Sequence, residues 1–284
     1  MVGSVAFLGN IKAQAIKSSA NDTRMSDLTM DLNKKIFVIA HRGASAYYPE
    51  NTMAAFKAAV SMEADMIELD VLLSKDKVPV VFHDEKLDKK SNGKGLVSNY
   101  NLEELKEFDA GSWFSREFEN EKIPTLKEVL EYTKNKILVN IEIKTEAVLE
   151  TEVNGIEQLV LEIVEELEIE DQVIISSFDY RVIRRVNRFS ETIKTALLYE
   201  KSQSSGKSPS MLYEEFNFNA FNCSKNQLSE KWKSELKKFE IPYFVYTVND
   251  KSEMMSLING GAKGIFSDKP DLLKEVYEQS KSKN

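Results

Sequence analysis

Two histidines in 284 residues, each directly after a short apolar run, are the first residues here whose placement suggests chemistry. His41 follows Ile36-Phe37-Val38-Ile39-Ala40, and His83 follows Val80-Val81-Phe82. Between them Glu68 and Asp70 stand two apart in the apolar run Ile67-Glu68-Leu69-Asp70-Val71. Glu142 and Lys144 repeat that spacing in Asn140-Ile141-Glu142-Ile143-Lys144. Strand side chains alternate, so each pair projects to one face. Carboxylates and an ammonium pointing into one interior are costly to bury without partners. A hard divalent cation, Mg2+ or Ca2+ rather than Zn2+, suits the oxygen-only set Glu68, Asp70 and Glu142. The rival reading is a salt-bridge cluster in which Arg42 and Lys144 neutralise the acids. Histidines titrate near neutral pH, so His41 and His83 can relay protons, one as base and one as acid. Arg42 and Lys144 can hold a non-bridging phosphate oxygen, the arginine in a bidentate fork. Together with a metal that stabilises phosphoryl charge, the set favours phosphoester cleavage. Walker loops, a Gly-x-Gly-x-x-Gly after a strand and a Gly-x-Ser-x-Gly elbow are all absent from the sequence, which leaves nucleotide, dinucleotide and serine-hydrolase chemistry without support.

The elements that must position these residues alternate along the chain. Short Val-, Ile- and Phe-rich runs at 36–40, 66–71, 137–143, 173–177, 195–199, 220–223, 243–248 and 264–267 read as strands buried on both faces. Helical periodicity separates most of them, at 52–62, 125–133, 180–189, 228–239, 251–259 and 270–279, and most clearly in the stripe Ile156, Leu159, Val160, Ile163, Val164, Leu167. Asn51 or Thr52 caps the first helix, and Ser267-Asp268-Lys269-Pro270 supplies a cap and a proline to the last. Eight such units predict an α/β fold, a (β/α)8 TIM-type barrel. One region departs from the alternation. Ser74 to Lys77 reads as a turn and Val78 to Phe82 as a strand folding back, which brings His83 opposite Leu69 or Asp70. Residues 84–123 then form an insertion after the second strand, with a short helix near 102–108. Emerging at the catalytic end of a barrel, it is expected to wall or lid the pocket.

A chain of this length can bury roughly three-quarters of its unfolded surface. Its net charge of −8 argues against a nucleic-acid partner and an electrostatic membrane anchor. The one cysteine, Cys223, excludes an internal disulfide framework. No 18-residue apolar run provides an integral membrane segment. Residues 1–35 read as a loosely ordered extension ahead of a barrel at 36–284. Ala13-Gln14-Ala15 resembles a signal-peptidase site, but no Lys or Arg precedes the apolar part. The expectation is cytoplasmic, with secretion as the alternative.

The ordered set Ala40-His41-Arg42-Gly43, Pro49-Glu50-Asn51-Thr52, Ile67-Glu68-Leu69-Asp70-Val71, Phe82-His83-Asp84, Gly111-Ser112-Trp113-Phe114, Ile123-Pro124-Thr125-Leu126, Asn140-Ile141-Glu142-Ile143-Lys144, Ile175-Ser176-Ser177-Phe178 and Tyr246-Thr247-Val248-Asn249-Asp250 resembles the glycerophosphodiester phosphodiesterase family, of the phosphatidylinositol-phospholipase-C-like barrel class. The resemblance runs from about Ile36 to Leu273. It implies His41 and His83 as the acid–base pair, Arg42 and Lys144 at the substrate phosphate, and Glu68, Asp70 and Glu142 as ligands of one divalent cation. The implied reaction cleaves a small glycerophosphodiester to sn-glycerol 3-phosphate and an alcohol. A glycerol hydroxyl attacks phosphorus, and the resulting cyclic phosphate yields to water. Which histidine is acid stays open, with His41 taken as base and His83 as acid. Two departures touch substrate detail. Tyr246 stands where the family commonly has tryptophan, and Ala220-Phe221-Asn222-Cys223-Ser224 lacks the usual polar signature. Phe178 and Tyr246 are the candidate pocket wall. The alternatives are a lysophospholipase D-type enzyme acting on lysophospholipids and a non-catalytic phosphodiester-binding barrel. The head group, the choice of metal and the oligomeric state are not legible.

Overall fold

Eight parallel strands close on themselves in the computed structural model, which describes residues 28–32, 36–151 and 153–282. The strands are β1 (Phe37–Ala40), β2 (Met66–Leu73), β3 (Pro79–Val81), β4 (Leu138–Ile143), β5 (Val173–Ser177), β6 (Lys194–Leu198), β7 (Ala220–Ser224), β8 (Tyr243–Tyr246) and β9 (Gly264–Ser267). All but β3 are parallel members of the ring, and β1 closes it by pairing with both β9 and β2. The helices α1 (Met53–Ser61), α2 (Leu102–Glu107), α3 (Leu126–Thr133), α4 (Ile156–Glu166), α5 (Tyr180–Phe189), α6 (Lys201–Ser204), α7 (Pro209–Phe216), α8 (Glu230–Lys238), α9 (Lys251–Asn259) and α10 (Pro270–Lys281) connect them. The architecture is the expected (β/α)8 barrel.

β3 is the antiparallel return. Val81 pairs with Val71 and Pro79 with Leu73, while Phe82 N–H donates to Asp70 O at 3.0 Å, so His83 falls opposite Leu69. The turn between the strands is tied by Ser74 Oγ, which donates to Asp76 and accepts from Val78 N–H.

Inward side chains stack in layers as the register climbs by about one residue per strand. Met66, Ile174 and Ala220 lie low in the interior, with Ile39, Asn140, Ala196 and Phe244 above them. Glu68, Ser176, Asn222 and Phe266 follow, then His41, Glu142, Leu198 and Tyr246. The barrel is therefore apolar at its base and polar toward the carboxyl ends of its strands. At the base, Met30 and Leu32 are buried against Phe37, Met66, Leu138 and Ile174, and Met30 N–H donates to Asp171 O at 3.1 Å. The extension expected over 1–35 otherwise lies outside the described residues.

The cap of α1, expected at Asn51 or Thr52, is Thr52, which accepts from Ala55 N–H. Other local expectations need correction. α10 starts at Pro270 with Lys269 at its cap position and no side-chain cap bond, because Asp268 is engaged elsewhere. The segment 201–216, between the strands at 195–199 and 220–223 and outside the expected helices, contains α6 and α7. The strand expected to 248 stops at Tyr246. Of the α4 stripe, Ile156, Val160 and Val164 are buried; Glu157 is buried beside them, paired with Arg185 at 2.9 Å.

Candidate active site

The sharp turn after β1 puts the first catalytic candidates at the mouth of the barrel. Arg42 and Gly43 both take positive φ, 54° and 82°. A Cβ on Gly43 would come within 2.7 Å of Ala55 backbone, so this close crossing of α1 admits only glycine. The turn aims Arg42 N–H at Glu68 Oε2, 2.8 Å away, and leaves His41 at the strand end.

His41 Nδ1 lies 2.7 Å from Asp268 Oδ1, and His83 Nδ1 lies 2.7 Å from Asp84 Oδ1. A carboxylate accepts only, so each ring donates from Nδ1 and keeps Nε2 for a proton in transit. Asp268 is itself fixed by Asn249, whose Nδ2 donates at 2.6 Å and whose Oδ1 accepts from Asp268 N–H. Burial pulls the His41 pKa down, but the bond to Asp268 and the field of Glu68 outweigh it and leave it raised. Burial acts to raise Asp268 as well, yet the partnership with His41 and Asn249 holds it down at about 2.

Glu68, Asp70 and Glu142 present oxygens that all lie within 4.8 Å of one another. Glu68 and Asp70 are 2 % and 1 % exposed. Lys144 Nζ donates to Glu142 at 3.0 Å and to Asp70 at 3.2 Å, and Arg42 Nε stands 3.3 Å from Asp70. Asn51, at φ 58°, donates from Nδ2 to Asp70 Oδ2 at 2.8 Å. Burial opposes ionisation of Asp70, but Lys144, Arg42, His83 and Asn51 overcome it and drive its pKa far down. At Glu68 the opposing pull of His41 and Arg42 is too weak. Burial, then the Asp70 charge, push it up to about 8, and Glu142 is raised for the same two reasons. The salt-bridge cluster read as a rival to metal binding thus exists, but two cations leave one carboxylate of three uncompensated. A dense, all-oxygen, under-neutralised set of this kind fits a hard divalent cation.

His41, Arg42, Glu68, His83, Glu142, Lys144, Phe178 and Tyr246 all border one cavity of about 210 Å3, joined by Leu198, Thr247 and Phe266. Phe178 and Tyr246 meet edge to face at 6.0 Å and form its apolar side. Burial raises the Tyr246 pKa well beyond the ordinary phenol range, so it offers a wall and a hydroxyl but no base. Asp70 does not border the cavity; its carboxylate is enclosed by Arg42, Lys144 and Asn51. Beneath the acids the interior stays polar, with Asn140 Oδ1, Ser176 Oγ and both Asn222 side-chain atoms buried and unpaired. The expected wall or lid is not among the residues that border this cavity, none of which comes from 84–123. The insertion's first residue, Asp84, holds His83 directly, and Lys90 reaches Arg42 at one remove through Glu50. Sequence reasoning gave Asp84, Asp268, Asn249 and Glu50 no role as partners of the site, and offered Asn51 only as an alternative cap to Thr52.

The model of the glycerophosphoryl diester phosphodiesterase family matches residues 41–272. A glycerophosphodiester phosphodiesterase of Caldanaerobacter subterraneus subsp. tengcongensis is 40 % identical over 240 residues, 84 % of this chain and 96 % of its own length. One of Bacillus altitudinis is 35 % identical over 248 residues, 86 % of this chain and 99 % of its own. Among solved structures, an Oleispira antarctica phosphodiesterase in complex with the product sn-glycerol-3-phosphate superposes with a TM-score of 0.76 at 28 % identity. The alignment covers 84 % of this chain and 96 % of that one.

Proposed function

The chain belongs to the glycerophosphoryl diester phosphodiesterase family, and from that membership we propose that it hydrolyses small glycerophosphodiesters to sn-glycerol 3-phosphate and an alcohol, with His41 and His83 moving the protons. The observation that carries this reading is the single cavity in which two carboxylate-tethered imidazoles, Arg42, Lys144 and two of the three clustered acids meet. Glu68, Asp70 and Glu142 would hold one divalent cation, either Mg2+ or Ca2+. When bound, it supplies positive charge to the phosphoryl group and acidifies a nearby hydroxyl.

Arg42 and Lys144 hold the non-bridging oxygens and orient phosphorus for in-line attack. His41 Nε2 takes the proton of a glycerol hydroxyl as its oxygen bonds phosphorus. The bond to the leaving oxygen breaks, and protonated His83 gives that oxygen its proton, releasing the alcohol. A water then opens the cyclic phosphate with the roles exchanged: His83 takes the water proton and His41 returns one to the glycerol oxygen. Asp268 and Asp84 keep both rings in the tautomer this exchange requires. The small volume and the short apolar wall of Phe178, Leu198, Tyr246 and Phe266 favour a compact head group over an acyl-bearing substrate.

Turnover of glycerophosphocholine by wild type, His41→Ala and His83→Ala tests the assignment. Each variant is expected to lose at least about 100-fold in kcat, the usual worth of acid–base catalysis. Near-full activity in His83→Ala sinks the histidine roles, and full activity in excess chelator sinks the metal. Faster turnover of lysophosphatidylcholine than of glycerophosphocholine would overturn the substrate class.

A further inference from the structure

The insertion at 84–123 borders no part of the cavity, yet a chain of charged contacts runs from it to the phosphate-facing arginine. Arg42 Nη1 donates to Glu50 Oε1 at 3.1 Å. The other oxygen of Glu50, Oε2, accepts from Lys90 Nζ at 3.2 Å. Lys90 Nζ stands 3.7 Å from the centre of the Trp113 ring. Glu50 is only 14 % exposed and Lys90 27 %, so screening by water is partial at both.

The insertion is built to hold that ammonium still. Lys90 closes a short turn over fully buried Leu87. Trp113 Nε1 donates to Ala110 O at 2.8 Å, and its ring meets Phe114 edge to face. The two loops carrying Lys90 and Trp113 are tied together by Asn92, whose N–H donates to Asp109 O and whose Oδ1 accepts from Asp109 N–H. The Asp109 side chain in turn accepts from the N–H groups of Gly111, Ser112 and Asn120. The cation–π seat on Trp113 is therefore part of a cross-linked platform rather than a free side-chain contact.

What this does to Arg42 follows from the valence of a carboxylate. Unopposed, a glutamate beside an arginine closes on it as a bidentate fork and occupies two of its N–H groups. Lys90 takes one oxygen of Glu50, which leaves a single contact to Nη1. Arg42 Nε is near Asp70 without a hydrogen bond, and Nη2 is engaged by no residue among those described. That edge of the guanidinium is kept open.

We propose that Lys90, seated on Trp113, is a positioning residue for phosphate binding: by dividing Glu50 it keeps Arg42 from being sequestered and presents its open edge to the substrate phosphate. The inference rests on the reading of Arg42 as a phosphate ligand, and the test separates the two. Kinetics with glycerophosphocholine, and inhibition by sn-glycerol 3-phosphate, are compared for Lys90→Met, Lys90→Arg, Arg42→Ala and the double variant Arg42→Ala/Lys90→Met, with thermal melts as a check on folding. Lys90→Met is expected to raise both KM and the inhibition constant about 5- to 20-fold, the worth of roughly one charge-assisted hydrogen bond, with kcat within about threefold. Lys90→Arg, which keeps the cation on both the ring and the carboxylate, is expected to stay within about twofold of wild type. On the Arg42→Ala background, Lys90→Met is expected to add nothing. Multiplied losses in the double variant, or an unchanged KM in Lys90→Met, overturn the positioning role. Undiminished activity in Arg42→Ala overturns instead the phosphate role of Arg42. Should Lys90→Met melt early, Glu50→Gln replaces Arg42→Ala as the background: with the carboxylate gone, Lys90→Met and Lys90→Arg should behave alike, and a difference between them refutes the proposal.

Discussion

At the scale of single residues, the pairing of His41 with Asp268 at 2.7 Å should set the pH profile if His41 is the proposed base. Burial alone would lower the His41 pKa, and the carboxylates reverse that and leave it above 6.5. A base must be neutral to act, so the rate should climb with pH through a limb lying above 6.5. Replacing Asp268 by Asn removes the anion and keeps the shape. The limb should then move to lower pH, with kcat/KM reduced about 10-fold through poorer orientation of the ring. A pH–rate profile of Asp268→Asn checks both, and an unmoved limb would show that His41 does not act as the base. Glu50 makes the same point about partners. Neither it nor Asp268 has a part in the proposed reaction, yet each fixes a group that has one there.

At the scale of elements, two short turns carry most of the precision. Gly43 crosses α1 where a methyl group would strike Ala55, and its φ of 82° is itself unfavourable for other residues. Gly43→Ala is expected to cost about 1–3 kcal/mol, read by urea unfolding, and to lower activity further by displacing His41 and Arg42. The antiparallel β3 return was legible from Ser74-Lys75-Asp76-Lys77 and the apolar run behind it, because turn chemistry and period-two burial are local signals. The Glu68, Asp70, Glu142 cluster was legible too, since alternation alone puts each pair on an inner face. Asp268 was not: its local context is that of a helix cap, and only closure of β9 against β1 delivers it to His41 across 227 positions. Asn51 likewise looks like a cap until its positive φ turns the amide toward Asp70. Glu157 reads as one more acid on a Glu-rich helix, and its burial depends on Arg185 from α5. What the sequence hid were contacts between elements made by residues whose local role already looked complete.

For the whole molecule, the site is a load on stability. Glu68 titrates near 8 folded against 4.5 unfolded, and Glu142 is also raised. Between those values the native chain holds protons that the unfolded chain releases, so metal-free stability should fall as pH rises through 4.5 to 8. The raised His41 acts in the same direction. Asp70 and Asp268 are depressed and act oppositely, but their stabilisation is lost only as pH falls below the ordinary carboxylate range. Melting curves should therefore show Tm declining from pH 5 to pH 8 without metal. Saturating Mg2+ or Ca2+ should raise Tm more at pH 8, where fewer protons must be displaced. A metal increment that is larger at pH 5 would contradict the assignment of Glu68 as a ligand. Closure of the ring has a further consequence, in time rather than in space. β1 finds its second neighbour only when β9 exists, and His41 acquires Asp268 only then. On a ribosome adding roughly 5–20 residues per second, His41 emerges tens of seconds ahead of its partner. The nascent chain thus carries both histidines and all three clustered acids long before His41 has its carboxylate, and on the proposed mechanism its hydrolytic activity should switch on late, when the barrel shuts.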